Sequence, residues 1–221
     1  MERRLVLGWV ALAIAGGGLI WKRSLGSTDA QPVADVLGQP SDVDMSSIVE
    51  MAMGPEDAKV TIIEYASFTC PHCARFHQGP LKQMKADYID KGLVHFIYRD
   101  VYFDRFGLMA AQIARCGGRE RFFDIADLLY SQQREWIAGG DDPAKIAANL
   151  RRIGKVAGLG EDTLEVCLAD KAQAETLVAW YNQNAQADNV RSTPSFIING
   201  EPYSNMSYGD FKKVIDAKLA E

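Results

Sequence analysis

The stretch KVTIIEYASFTCPHCARFHQGP, residues 59–80, decides the fold, because it passes from strand to helix across a pair of thiols. Lys59–Tyr65 is rich in β-branched residues and follows Gly54-Pro55, which predicts a buried strand. Pro71 suits the first position of a helix, where its missing N–H would have no partner anyway. Cys70 is then the N-cap, with free backbone N–H groups and the positive helix end directed at its sulfur. A thiolate is favoured there, and His72 adds to the effect by charge or hydrogen bond, so the Cys70 thiol is expected well below free cysteine. Cys73 lies one turn on, on the same face and within disulfide reach. That makes Cys70 the attacking thiol and Cys73 the shielded resolving one. Because a stabilised thiolate stabilises the reduced form, the Cys70–Cys73 disulfide should be a strong oxidant.

Two other readings of these thiols compete. Cys70, Cys73 and His77 have ligand-like spacing, but a closed zinc site needs a fourth ligand, and His72 sits awkwardly within the chelate. No metal and no organic cofactor is therefore expected. His77 is assigned to the exposed side of the helix and His95 to a satisfied strand position. Inert buried thiols are the second alternative, and Pro71 at a helix start counts against it.

Outward from this stretch the pattern is regular. The helix after Cys70 should run to about Tyr88 with a kink at Pro80, and Leu93–Arg99 reads as a second strand, giving a β-α-β opening. From about Phe106 to Asn189 apolar residues recur at helical spacing, as at Met109, Ile113 and Cys116. Gly117-Gly118, Gly139-Gly140 and Gly158-Leu159-Gly160 divide this block into four or five helices. Strand character returns at Ser195–Ile198, Asn199-Gly200 offers a hairpin turn into Glu201–Ser204, and an amphipathic helix from about Tyr208 to Leu219 ends the chain.

Glu64–Cys73 (EYASFTCPHC), the inserted helical block and Ser192–Gly200 (STPSFIING) together resemble the DsbA family of periplasmic thiol:disulfide oxidoreductases, over about residues 54–221. The resemblance implies an α/β thioredoxin fold with an inserted all-helical domain: a thioredoxin-like domain at 54–104 and 190–221, and the insertion at 105–189. It implies that Pro194 is a cis-proline facing the active cysteines, with Thr193 presenting backbone groups to a substrate chain. Many family members carry valine before this proline, and Thr193 departs from that. Glu64 interrupts an apolar strand. By alternation alone it could be a solvent-facing edge residue, but it matches the family's buried acid, a proton acceptor for Cys73. Cys116 and Cys167 both fall on inward faces of the insertion. They could be two free buried thiols, but in an oxidising compartment an even cysteine count favours a structural disulfide between them. A branch of DsbA-like proteins carries such a second pair. Closing roughly fifty residues, it would contribute about 4 kcal/mol through loop entropy.

At the N-terminus, Arg3 and Arg4 precede an apolar run from Leu5 to Trp21, closed by Lys22 and Arg23. Residues 1–23 are thus a signal anchor or a signal peptide. Ala13-Ile14-Ala15 offers a cleavage site, while the length of the run suits an anchor. Residues 24–53, rich in Gly, Pro, Ser and Asp, read as a linker. The net charge of -5 and the lack of a basic block exclude a nucleic-acid surface. The expected protein is a periplasmic monomer, held to the inner membrane or released from it, that donates disulfides to reduced exported proteins. The resemblance implies reoxidation by a membrane partner of DsbB type. The alternatives are a disulfide isomerase or reductase for specific clients, or a chaperone-like peptide-binding module.

Overall fold

The computed structural model describes residues 43–140 and 142–221. The N-terminal hydrophobic segment and the first part of the expected linker lie outside the described residues. Among those described, no helix is long and apolar enough to cross a membrane.

Five strands form one sheet: β1 (Met51–Met53), β2 (Val60–Ala66), β3 (Val94–Asp100), β4 (Ser195–Ile198) and β5 (Glu201–Ser204), in the order β1-β3-β2-β4-β5. β2 and β3 are parallel, as a β-α-β crossover requires, and the other neighbours are antiparallel. β2 is central, so Glu64 lies between Tyr98 of β3 and Phe196 of β4. β1 falls inside the stretch assigned to the linker, which therefore ends earlier than expected. Three residues carry too little periodicity to mark a strand, and β1 exists through its pairing with β3. Asn199 and Gly200 both have positive φ, at 46° and 84°, the requirement of a two-residue type I′ hairpin.

Instead of one kinked helix after Cys70 there are two, α1 (Pro71–Gln78) and α2 (Pro80–Met84), followed by a π-helical turn at Lys85–Ile89. Gly79 takes φ -128° and ψ -84°, outside the helical region. Pro80 consequently starts a new helix rather than bending the old one. Phe76 of α1 packs on Phe196 at 4.8 Å and on Phe211 at 5.5 Å between ring centroids, fixing α1 to the sheet.

Between β3 and β4 stand six helices among the described residues: α3 (Arg105–Cys116), α4 (Gly118–Ser131), α5 (Gln133–Ile137), α6 (Pro143–Val156), α7 (Glu161–Ala169) and α8 (Lys171–Ala187). The extra one relative to expectation is α5, separated from α4 by Gln132, with no glycine or proline to announce the break. Asp104, Asp142 and Asp170 cap α3, α6 and α8 through their carboxylates. The C-terminal helix α9 (Tyr208–Ala220) packs back on the sheet through Phe211 and Ile215.

The apolar core is continuous from the sheet into the insertion, running from Phe196 and Phe211 through Phe68 and Tyr130 to Trp136, Leu150 and Leu164. One further link binds the halves. Arg115 of α3 donates from Nε (3.1 Å) and Nη2 (2.9 Å) to Asp100 Oδ2 at the end of β3, and from Nη1 to the Val49 carbonyl at 3.1 Å. Its guanidinium also lies 5.7 Å from the ring centroids of Phe122 and Trp180. Within the insertion, Cys116 and Cys167 are joined by a disulfide that ties α3 to α7.

Candidate active site

The end of β2 delivers the chain to a tight turn in which the Cys70 N–H donates to the Ser67 carbonyl at 3.0 Å. Cys70 has the extended N-cap conformation, φ -82° and ψ 120°, and Pro71 begins α1. Both cysteines are free thiols. Cys70 keeps 8% of its surface exposed and Cys73 none, so only one sulfur is open to attack. Pro71 and His72 are exposed beside it. The Thr193–Pro194 peptide is cis, and the Cys70 Sγ donates to the Thr193 carbonyl at 3.5 Å. A loop 123 residues away in sequence thus meets the N-terminus of α1 at the accessible sulfur.

The two thiols are driven apart electrostatically. Cys70 is drawn down to about 5, chiefly by a hydrogen bond from the Cys73 thiol. Burial opposes this, while the Thr193 side chain and the backbone N–H groups of Cys73 and His72 add to it. Burial is the main force pushing Cys73 far up, followed by its donation to Cys70 and the nearby charge of Glu64. His72 helps through its backbone rather than its ring. The ring Nδ1 accepts from Arg75 Nη2 at 2.6 Å, which turns the imidazole toward solvent-exposed Arg75.

Glu64 is fully buried. Its Oε2 lies 2.9 Å from His77 Nε2, and its Oε1 has no partner among the described residues. His77 is only 4% exposed, which corrects its assignment to the outer face of the helix. The spacing from Cys73 already held the signal: a residue four positions along a helix shares its face, so an inward Cys73 implies an inward His77. Burial pushes the Glu64 carboxyl up, and His77 partly offsets this. A folded-state value above the unfolded one means that the folded protein holds the extra proton, so this group's contribution to stability falls as pH rises from the unfolded value to the folded one. Glu64→Gln is therefore expected to raise stability at pH 7 by about 1 kcal/mol, with the gain shrinking toward pH 4. Urea melts at both pH values check this, and an unchanged or lower midpoint at pH 7 would refute it.

Residues 46–217 match the family model described as Thioredoxin. The chain belongs to the thioredoxin family. A Rickettsia bellii protein provisionally named a protein-disulfide oxidoreductase is 32% identical over 173 residues, which are 78% of this chain and 65% of that protein. The chain thus spans just under two thirds of that relative's length. Disulfide bond formation protein D of Bacillus subtilis is 27% identical over 178 residues, 76% of each chain. Among solved structures, alpha-DsbA1 of Wolbachia pipientis aligns with a TM-score of 0.72 and 25% identity, covering 80% of this chain and 94% of that one. The fold is the thioredoxin fold with a helical insertion, the arrangement of DsbA structures.

Within this thioredoxin-family frame, one contributor to the site was not foreseen. Gln133, the first residue of α5, is buried and donates from Nε2 to the carbonyls of Phe68 (2.7 Å) and Cys70 (2.9 Å). A glutamine at a helix start carries no distinctive sequence signal, and only the insertion's position over the turn gives it this role. Tyr130 of α4 stacks on Phe68 at 4.9 Å and donates to or accepts from Tyr98 Oη at 2.8 Å, closing the wall around Cys73 and Glu64. The Cys116–Cys167 pair lies in the insertion, between α3 and α7.

Proposed function

We propose that the protein is a dithiol oxidase acting outside the cytoplasmic membrane, donating the Cys70–Cys73 disulfide to reduced exported proteins. The observation that carries this reading is the split of the two thiols, Cys70 down to about 5 and at the edge of the surface with 8% exposure, Cys73 far up and enclosed. A low Cys70 value stabilises the reduced protein against its disulfide, so electrons flow from substrate thiols to the protein. The Cys116–Cys167 disulfide suits an oxidising compartment.

In the reaction, a substrate thiolate attacks the Cys70 sulfur and the Cys70–Cys73 bond breaks, its electron pair leaving on Cys73, which takes up a proton. Glu64 is the group placed to supply that proton. The substrate chain lies along the Thr193-Pro194 segment, whose backbone is already at the sulfur. A second substrate thiolate then attacks the substrate sulfur of the mixed disulfide, releasing Cys70 as a thiolate. A membrane partner of DsbB type removes the two electrons and restores the disulfide. The N-terminal segment would keep the protein at the membrane where that partner lies.

Equilibration of the purified protein with reduced and oxidised glutathione tests the direction. The expected potential is more oxidising than about -200 mV, and a value close to thioredoxin's, about -270 mV, would overturn it. Independently, thiolate absorbance of the reduced protein should titrate near pH 5. The thiolate's stabilising contribution is present at neutral pH and is lost as pH falls through that value. A midpoint above pH 7 would refute the electrostatic account of Cys70.

A further inference from the structure

Cys73 must gain a proton each time its sulfur leaves the disulfide and lose one each time the bond is remade, yet its side chain is fully buried. With a client or a reoxidant seated over Cys70, the front of the site is closed as well. Glu64 can exchange the proton, but it too is wholly enclosed and must itself be replenished from water.

The only side chain bonded to Glu64 among the described residues is His77, at 2.9 Å. His77 in turn lines a cleft of about 300 Å³ together with Leu81, Lys82, Phe123, Asp124 and Asp127. None of the residues around this cleft belongs to the Cys70–Cys73 turn or to the Thr193-Pro194 loop, so it opens away from where substrate would lie. Among the described residues no protein group is hydrogen-bonded to His77 Nδ1, while Nε2 holds Glu64. An imidazole can accept a proton at one nitrogen and release it from the other.

We propose that His77 conducts protons between Glu64 and the cleft, giving the buried thiol a rear path to water. This rests on the oxidoreductase reading above. During client oxidation the Glu64 carboxyl protonates the departing Cys73 thiolate, and the carboxylate so formed takes a proton from His77, which recovers one from the cleft. During reoxidation the direction reverses. Cys73 gives its proton to Glu64 as its sulfur bonds to Cys70, the reoxidant's sulfur leaves with the electron pair, and the proton passes through His77 to water. His77 touches neither sulfur in this scheme and acts through Glu64. The other titratable groups around it are arranged differently. The phenol rings of Tyr98 and Tyr130 flank the imidazole at 5.7 Å and 4.1 Å, and both hold their protons far above neutral pH because they are buried. Lys82 and Asp127 pair with each other at 3.1 Å across the cleft mouth, with Lys85 and Asp124 beside them.

The test is stopped-flow oxidation of the reduced full chain by oxidised glutathione, which separates two steps. The first is attack by Cys70, forming the glutathione mixed disulfide. The second is attack by Cys73, which needs its proton removed. His77→Gln keeps an N–H to hold Glu64 but cannot pass a proton on, and the ratio of second-step to first-step rate is expected to fall roughly tenfold or more. In His77→Ala the same ratio should fall and should recover as imidazole is added. A glutamine variant with the wild-type ratio would overturn the proposal, as would a folded alanine variant indifferent to imidazole. If the alanine variant does not fold, the glutamine variant decides alone. Absence of the first step in the unaltered protein would instead refute the oxidoreductase reading itself.

Discussion

Cys70→Ser is expected to eliminate thiol–disulfide exchange, whereas Cys73→Ser is expected to leave the first attack intact and to accumulate mixed disulfides. At pH 7 a thiol drawn down to about 5 is almost wholly thiolate, while an ordinary cysteine is only a few per cent ionised. A serine hydroxyl is essentially un-ionised there, so the loss at position 70 is complete rather than partial. At position 73 the side chain is fully buried and reaches no client. Replacing it with serine removes the sulfur that returns to Cys70 and frees a trapped partner, while leaving a hydroxyl that can donate to the Cys70 sulfur in place of the thiol. Incubating each variant with a disulfide-bonded or glutathione-mixed substrate and resolving adducts on non-reducing gels reads both outcomes. Retained function in vivo in Cys70→Ser would sink the oxidase reading and leave the chain-holding role as the better account. Adducts on Cys73 in a Cys70→Ser background would show that the wrong sulfur had been taken as the accessible one.

Arg115→Ala should produce the largest loss of stability, about 3–5 kcal/mol. The arginine and Asp100 are both buried, with side chains 5% and 1% exposed, and both guanidinium contacts fall on one carboxylate oxygen. Among the described residues the other oxygen, Oδ1, makes no well-formed hydrogen bond, and the Tyr102 hydroxyl is the one further group that favours its charged form through a hydrogen bond. Burial pushes the Asp100 carboxyl up and Arg115 is what holds it back. Removing the arginine would leave a buried carboxyl group between β3 and α3 with only the Tyr102 hydroxyl to offset its burial, and would also open space between Phe122 and Trp180. The reason the loss is large is the stranded partner rather than the strength of the pair. The companion variant Arg115→Met with Asp100→Leu should therefore recover most of the stability, because neither charge remains to be buried. Urea unfolding with matched slopes checks both. A loss below about 1 kcal/mol in Arg115→Ala would place this pair with exposed ion pairs of little consequence.

Much of this architecture was legible because local chemistry and tertiary structure agree. The β-branched run of β2, the proline after Cys70 and the Asn199-Gly200 turn each admit few backbone conformations, and each is where expected. Where the reading went astray, the deciding contact was remote. β1 is a strand only because β3 offers it an edge, and Gln133 joins the site only because α5 is folded over the turn. His77 is a different case. Its helical spacing from Cys73 pointed inward, but a histidine near two cysteines invites a metal or surface reading, and the carboxylate that holds it sits 13 residues earlier on another element. The separation of Pro80 from α1 likewise depended on how Gly79 would resolve the strain, which composition alone does not specify.

Gln133 also bears on how the molecule could come apart. Its one amide group spans the carbonyls on either side of Thr69, and those carbonyls have to be held for Cys70 to sit at the mouth of α1. If the helical block loosened, the Phe68 carbonyl would be left bare at the reactive turn and the Cys70 carbonyl would keep only the Ala74 N–H. Excising the block would do the same, so the smaller fold cannot be regarded as a self-sufficient catalyst wearing a detachable cap. Any motion that lifts the helices to admit a bulky client would simultaneously slacken the geometry that keeps Cys70 ionised. Reactivity and the closed state of the insertion are in this sense a single property of the chain.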